Sequence, residues 1–357
     1  MSDQNNDNIE RRTFLKASVA SVTLSGCTVA PSPLLTKLPE PNEIQKMARR
    51  SAPSTVGILR AQSYDENLFA ILKEHLSQLN IGDFKNKTVV LKPNMVECPI
   101  TAPITTRPEV LKAAIQLVDY LGAKKIIVAE GPGHMRDTEE ILATTGIGKV
   151  CQEMGIPFVD LNLDDSIEVP IKHSFAGVDN FILPNTIVNA DAVISLPKLK
   201  THHWVGMTAA MKNLFGIVPG RKYGYPKNFL HWKGIFHCIL DLNRLVPTRL
   251  SIVDAITAME GDGPINGTAR QMGLLIVGSD PAAVDATCAR IIGFDIDELE
   301  YIRVAGQVIG NVALSEISII GLPIAEVAVD FKRPSTYLRD SKLSENALNK
   351  QAQSGMS

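Results

Sequence analysis

The chain has 357 residues, 45% of them hydrophobic and 21% charged, which is enough apolar material for a packed core and too much for a disordered chain. Lys and Arg total 36 against 38 Asp and Glu, a formal net charge of −2. With 5% aromatic residues and no basic block, the chain lacks the cationic face and stacking platform that nucleic acid requires, so no nucleic-acid partner is expected.

The segment Arg11-Arg12-Thr13-Phe14-Leu15-Lys16, followed by the small apolar run Ala17 to Gly26, resembles a twin-arginine export signal. It implies passage through the twin-arginine translocase, so residues 1–26 are set aside from fold reasoning. The run ends in Leu24-Ser25-Gly26-Cys27, which resembles a lipobox. Acylation of Cys27 would make the mature protein a periplasmic or cell-surface lipoprotein, held at a membrane without a spanning helix. An ordinary cysteine after a signal peptide is the alternative. No apolar stretch reaches the ~18 residues of a span. Pro31, Pro33, Pro39, Pro41 and Pro53 mark residues 27–53 as a tether. Cys98, Cys151, Cys238 and Cys288 follow without any Cys-x-x-Cys, so neither an iron–sulfur cluster nor a cysteine zinc site is expected. Their disulfide state stays open, although Cys288 lies in an apolar run that suits a buried thiol.

Residues 54–331 alternate short β-branched runs with longer amphipathic ones, the pattern of βαβ units. Taken in order, the spacing predicts a strand at Thr55–Leu59, a helix at Asn67–Leu79, a strand at Thr88–Leu91 and a helix at Pro108–Leu121. Next come a strand at Lys125–Ala129, a helix at Asp137–Met154 and a strand at Phe158–Leu161. Residues 162–190 break the alternation and predict a small β-rich insert or second subdomain. A strand at Ala192–Leu196 precedes helices at Gly206–Phe215 and Phe229–Leu245, then strands at Leu250–Val253 and Gly273–Val277. Helices at Pro281–Ile292 and Glu298–Ile309 and a strand at Ile317–Ile320 complete the domain, and residues 332–357 read as a polar mobile tail. The expected class is α/β, a mainly parallel Rossmann-like sheet flanked by helices.

In such sheets ligands bind beyond the carboxyl ends of the strands. Apolar runs here end in Lys92-Pro93-Asn94, in Glu130-Gly131-Pro132-Gly133-His134, in Pro197-Lys198-Leu199-Lys200-Thr201-His202-His203, and in Asp254 with Gly261-Asp262-Gly263-Pro264 following. If these ends converge, Lys92, Asn94, Lys198, Lys200, Asp254 and Asp262 would bind a small anionic substrate, a carboxylate or phosphate. Glycines 131, 133, 261 and 263 would let backbone approach it. His134 and His202 are proton-transfer candidates, and Lys212 would orient the anion or carry a cofactor. His202 and His231 are the metal-ligand candidates, although no fixed metal spacing is present. For any single residue of this set, solvation at a strand end is the plainer role. An anion-binding protein without catalysis is the alternative to an enzyme.

These motifs together resemble the family known as domain of unknown function 362. The likeness spans roughly residues 54 to 330 and rests on Lys92-Pro93-Asn94, Ala190 to His202, Lys212-Asn213-Leu214-Phe215-Gly216, Asp254 with Gly261 to Pro264, and Asp280-Pro281-Ala282-Ala283-Val284-Asp285. A looser resemblance is to the lactate racemases that use a nickel-pincer nucleotide. Thr106-Arg107-Pro108, Gly133-His134-Met135-Arg136, and His202 with Lys212 ten residues on occur in the same order as their motifs. That resemblance implies a metal or nucleotide-derived cofactor tethered at Lys212.

Overall fold

The computed structural model describes residues 52–98, 102–133, 137–246 and 248–337. Arg11, Arg12, Cys27 and His134 lie outside the described residues, as does nearly all of the expected tether.

Among the described residues, twelve strands form in chain order: β1 Ser54–Arg60, β2 Thr88–Pro93, β3 Lys125–Glu130, β4 Phe158–Asp160, β5 Ser166–Pro170, β6 Asn180–Pro184, β7 Ala192–Leu196, β8 Lys198–His202, β9 Gly206–Thr208, β10 Thr248–Glu260, β11 Thr268–Gly278 and β12 Ile317–Gly321. The main sheet runs β12-β1-β11-β10-β7-β2-β3-β4, with β8 added along β10 and β9 along β8. Strands β10, β7, β2, β3 and β4 are mutually parallel, while β11 runs antiparallel to both β1 and β10. The mainly parallel α/β class therefore holds. The insert is the antiparallel pair β5 and β6, which forms its own two-stranded sheet.

Central strands are apolar on both sides because helices cover both faces. Along β2, Val89 and Leu91 pack into one apolar layer and Val90 into the other. Helix Pro108–Tyr120 begins with proline, whose missing N–H costs nothing at a first turn, and buries Val110, Leu111, Ala114, Leu117 and Val118. Helix Pro281–Ile291 is capped by Asp280, whose carboxylate accepts the Ala282 and Ala283 N–H groups at 3.0 and 3.3 Å.

Several expected helices are divided. Residues 137–154 form Thr138–Thr145 and Ile147–Glu153, separated by Gly146 at φ +78°, a left-handed turn that stops the first helix. Residues 229–245 split likewise at Gly234, φ +98°, into Asn228–Trp232 and Ile235–Leu245. Residues 67–79 divide at His75. The expected helix 206–215 is mostly something else: β9, a single turn at Ala210–Asn213 and a 3-10 turn at Leu214–Ile217. Met207, Met211 and Leu214 are buried all the same, so their spacing reported burial rather than helix.

The tail is corrected over residues 332–337. Lys332 O accepts the Gly261 N–H, Arg333 stacks 3.4 Å from the Phe294 ring centre, and Tyr337 donates to Glu298 O at 2.7 Å. Cys288 is a buried free thiol, and Cys98, Cys151 and Cys238 are free as well.

Candidate functional site

Because β2, β3, β7 and β10 are parallel, their carboxyl ends lie along one edge. Pro197 shifts the chain there: β7 pairs with the start of β10, and β8 continues along β10 with Lys198 opposite Asp254 and Lys200 opposite Met259. Lys198 to His202 is thus a buried strand rather than a solvated strand end. Strand alternation sends Lys198, Lys200 and His202 to one face and Leu199 and Thr201 to the other.

Two buried ion pairs anchor this edge. Lys92 Nζ donates to Glu130 Oε1 at 2.6 Å, and Lys198 Nζ donates to Asp254 Oδ2 at 2.8 Å. Lys92 also reaches Pro93 O at 3.1 Å and Asn213 Oδ1 at 3.3 Å. Gly216 closes over the first pair, since a Cβ there would meet Glu130 Oε1 and lie 2.7 Å from Lys92 Nζ. Burial pushes the Lys92 ammonium down and the Glu130 carboxyl up, and the attraction within the pair opposes both shifts. Around the second pair, Tyr64 donates its hydroxyl to Asp254 Oδ1 at 2.9 Å and accepts from Lys198 at 2.8 Å. The Arg107 guanidinium lies 4.9 Å from the Tyr64 ring centre.

Three further lysines have no carboxylate in an ion pair with them among the described residues. Lys200 is fully buried and donates to Asn94 Oδ1 and Ile104 O, both at 2.8 Å. Burial first, then the charges of Lys212 and Lys198, hold its pKa well below the usual lysine range. Lys227 donates to Asn162 Oδ1 at 3.0 Å and to Val218 O, and burial lowers it to about 8. Lys212 is half-buried, with its ammonium 4.6 Å from the Phe215 ring centre. Burial and the Lys92 charge lower it to about 8 as well.

Beyond Lys200, aromatic rings form a chain. His202 stacks on His203 at 4.8 Å, His203 meets Trp204 at 4.8 Å, and Trp204 meets His231 at 5.0 Å. His202 Nδ1 accepts the Trp204 backbone N–H at 3.1 Å, which leaves Nε2 to carry the proton of the neutral ring. Burial, then Lys212 and His203, hold its pKa well below the usual histidine range. Among the described residues, no group of three or more His, Cys, Asp or Glu side chains is arranged to hold a metal ion. His202 and His231 each meet Trp204 between them, at 6.4 and 5.0 Å, and the described donors do not fit a metal centre.

The structure thus brings Lys92, Asn94, Lys198, Lys200, His202, Lys212 and Asp254 to the carboxyl edge. Asp262 is different: its side chain is exposed, and Oδ1 accepts the Ser335 N–H at 2.7 Å, so it pins the segment after β12. Glycines 131 and 263 admit protein rather than ligand, since a Cβ would meet Asn162 Oδ1 at the first and Thr201 O at the second. Tyr64, Asn162 and Lys227 were missed. Nothing in Tyr225-Pro226-Lys227 distinguishes a buried lysine from a turn residue, and Asn162 lies where the strand pattern stops.

The fold and edge define a mixed α/β protein with a buried cluster of lysines at the carboxyl ends of its parallel strands. The family described as "Domain of unknown function (DUF362)" matches residues 89–290, and the chain belongs to it. The chain is 33% identical over 260 residues to a thylakoid-associated protein of Synechocystis sp., covering 68% of this chain and 75% of that protein. Among solved structures it is similar to the lactate racemase apoprotein of Thermoanaerobacterium thermosaccharolyticum, with TM-score 0.42 and 13% identity over 68% of this chain and 57% of the racemase. A Thermotoga maritima protein is similar at TM-score 0.35 and 14% identity, over 62% of this chain and 58% of that one. The chain thus spans less than two thirds of either solved relative.

Proposed function

We propose that this DUF362 chain is an exported, membrane-anchored enzyme acting on a small anion, a carboxylate or phosphate, bound at the lysine-rich edge. One observation carries the reading. Buried Lys92, Lys198, Lys200 and Lys227 and half-buried Lys212 gather with, among the described residues, only Glu130 and Asp254 ion-paired among them. Buried cations in excess of anions are costly, and an entering anion supplies the missing charge. It would draw Lys212 and Lys227 back to their protonated forms, so binding takes up protons near pH 8. Lys200 and His202, held toward neutrality, are suited to accept a proton from the bound molecule.

Capture without turnover is the second reading, favoured because both carboxylates of the cluster are already engaged by lysines. Incubation in D2O with small carboxylates and phosphomonoesters, followed by NMR, separates the two. Consumption or solvent-deuterium incorporation supports the enzyme. Binding without either supports capture.

Export and anchoring rest on Arg11, Arg12 and Cys27 in their sequence setting, and the similar Synechocystis protein carries a thylakoid-associated name. No helix of the described residues is long and apolar enough to cross a membrane. Cys27→Ala is expected to release the protein into the soluble periplasmic fraction, and continued membrane retention would contradict acylation.

A further inference from the structure

Both tryptophans of the chain stand out in solvent, Trp204 at 53% and Trp232 at 72% exposure, with Phe229 at 41% beside them. They form one patch. Trp204 contacts His231 at 5.0 Å, the helix Asn228–Trp232 carries Phe229, His231 and Trp232, and Phe229 lies 5.9 Å from Tyr223. Tyr223 ends the short helix that presents Arg221 and Lys222 to solvent, and Lys233 Nζ lies 5.8 Å from the Phe229 ring centre.

The segment that carries the rings is basic in sequence. From Ala192 to Leu240 the sequence has seven Lys and Arg residues and no Asp or Glu. Lys198, Lys200 and Lys227 are spent in the interior and Lys212 and Lys233 are half-buried, whereas Arg221 and Lys222 are exposed near the rings. Indole has an apolar body and a polar N–H, and it settles at the boundary between lipid and water. Surface lysines and arginines add attraction to anionic headgroups.

We infer that the face formed by Trp204, Phe229, Trp232, Arg221 and Lys222 docks on an anionic bilayer surface. The inference stands on exposure and charge. It requires neither turnover at the lysine-rich edge nor a lipid on Cys27.

The test uses the full chain carrying Cys27→Ala, so that no acyl chain contributes, and vesicles of phosphatidylglycerol or of phosphatidylcholine. Because both tryptophans lie on the patch, intrinsic emission reads docking directly. With phosphatidylglycerol the emission is expected to shift to the blue and to be quenched by brominated acyl chains, and with phosphatidylcholine much less so. Arg221→Glu with Lys222→Glu should weaken partition by roughly fivefold or more for each charge lost, and Trp232→Ala should weaken it further. These positions are exposed, so the variants keep the fold. Two results would overturn the inference: unchanged tryptophan emission at saturating phosphatidylglycerol, or patch variants that sediment with these vesicles as well as the parent does. The second would assign membrane binding to another part of the chain.

Discussion

Glu130 holds the cluster at the scale of single side chains. Its Oε1 takes the Lys92 ammonium, and its Oε2 is buried with no hydrogen-bond partner. Glu130→Gln leaves Lys92 buried beside a neutral amide, and breaking such a pair from one side costs about 3–5 kcal/mol. Urea unfolding should read that loss. Lys212 behaves in the opposite sense. Its folded pKa of about 8 lies below the usual 10.5, so burying its charge costs stability fully below pH 8. The cost fades as pH rises from 8 toward 10.5, where the folded state sheds its proton first. Lys212→Met is therefore expected to be more stable than wild type at pH 7, by about 1–3 kcal/mol, with the gain vanishing near pH 10.5. A gain that persists at high pH would contradict a buried cation. The anchoring lysines were legible in sequence because each closes an apolar run. Lys227 was not, since its burial comes from packing against Val218 and Asn162, which no local pattern encodes.

Among elements, the single turn Ala210–Asn213 carries Lys212, and one carboxylate fixes it. Asp285 accepts the Ala210 N–H at 2.6 Å and the Met211 N–H at 3.2 Å from the buried side of helix Pro281–Ile291. Asp285→Ala leaves two buried N–H groups unpaired, at about 1–3 kcal/mol each. It should also lower anion affinity although no lysine of the cluster is changed, which binding measurements on the folded variant would read. Burial pushes Asp285 up to about 8, above its usual 3.8, so its contribution is present at low pH and is lost as pH rises from about 4 through 8. The eight expected strands were legible because β-branched runs bounded by turn residues have few other readings. Strand β8 was not. Lys-Leu-Lys-Thr-His alternates as a strand does, but its lysines read as solvent-facing until Asp254, Asn94 and Tyr64 arrive from distant positions to satisfy them. Helix 137–154 was too long by one break, because Gly146 sits inside an otherwise continuous amphipathic pattern.

For the molecule as a whole, a net charge of −2 concealed a marked separation of charge. The acid-free stretch from Ala192 to Leu240 supplies most of the buried cations and the exposed aromatic rim, and the compensating acids lie elsewhere in the chain. Whole-chain totals could not disclose this, because no short block of like charge is present. The central claim is that this edge binds a small anion and takes up protons in doing so. Calorimetric titration with phosphate, sulfate and oxalate at pH 8.5, in two buffers of different ionisation enthalpy, tests it most directly. Saturable binding by at least one anion, with net proton uptake that is reduced in Lys212→Met, is the predicted result. Absence of binding by all three, or binding with no proton uptake in the wild type, would contradict it.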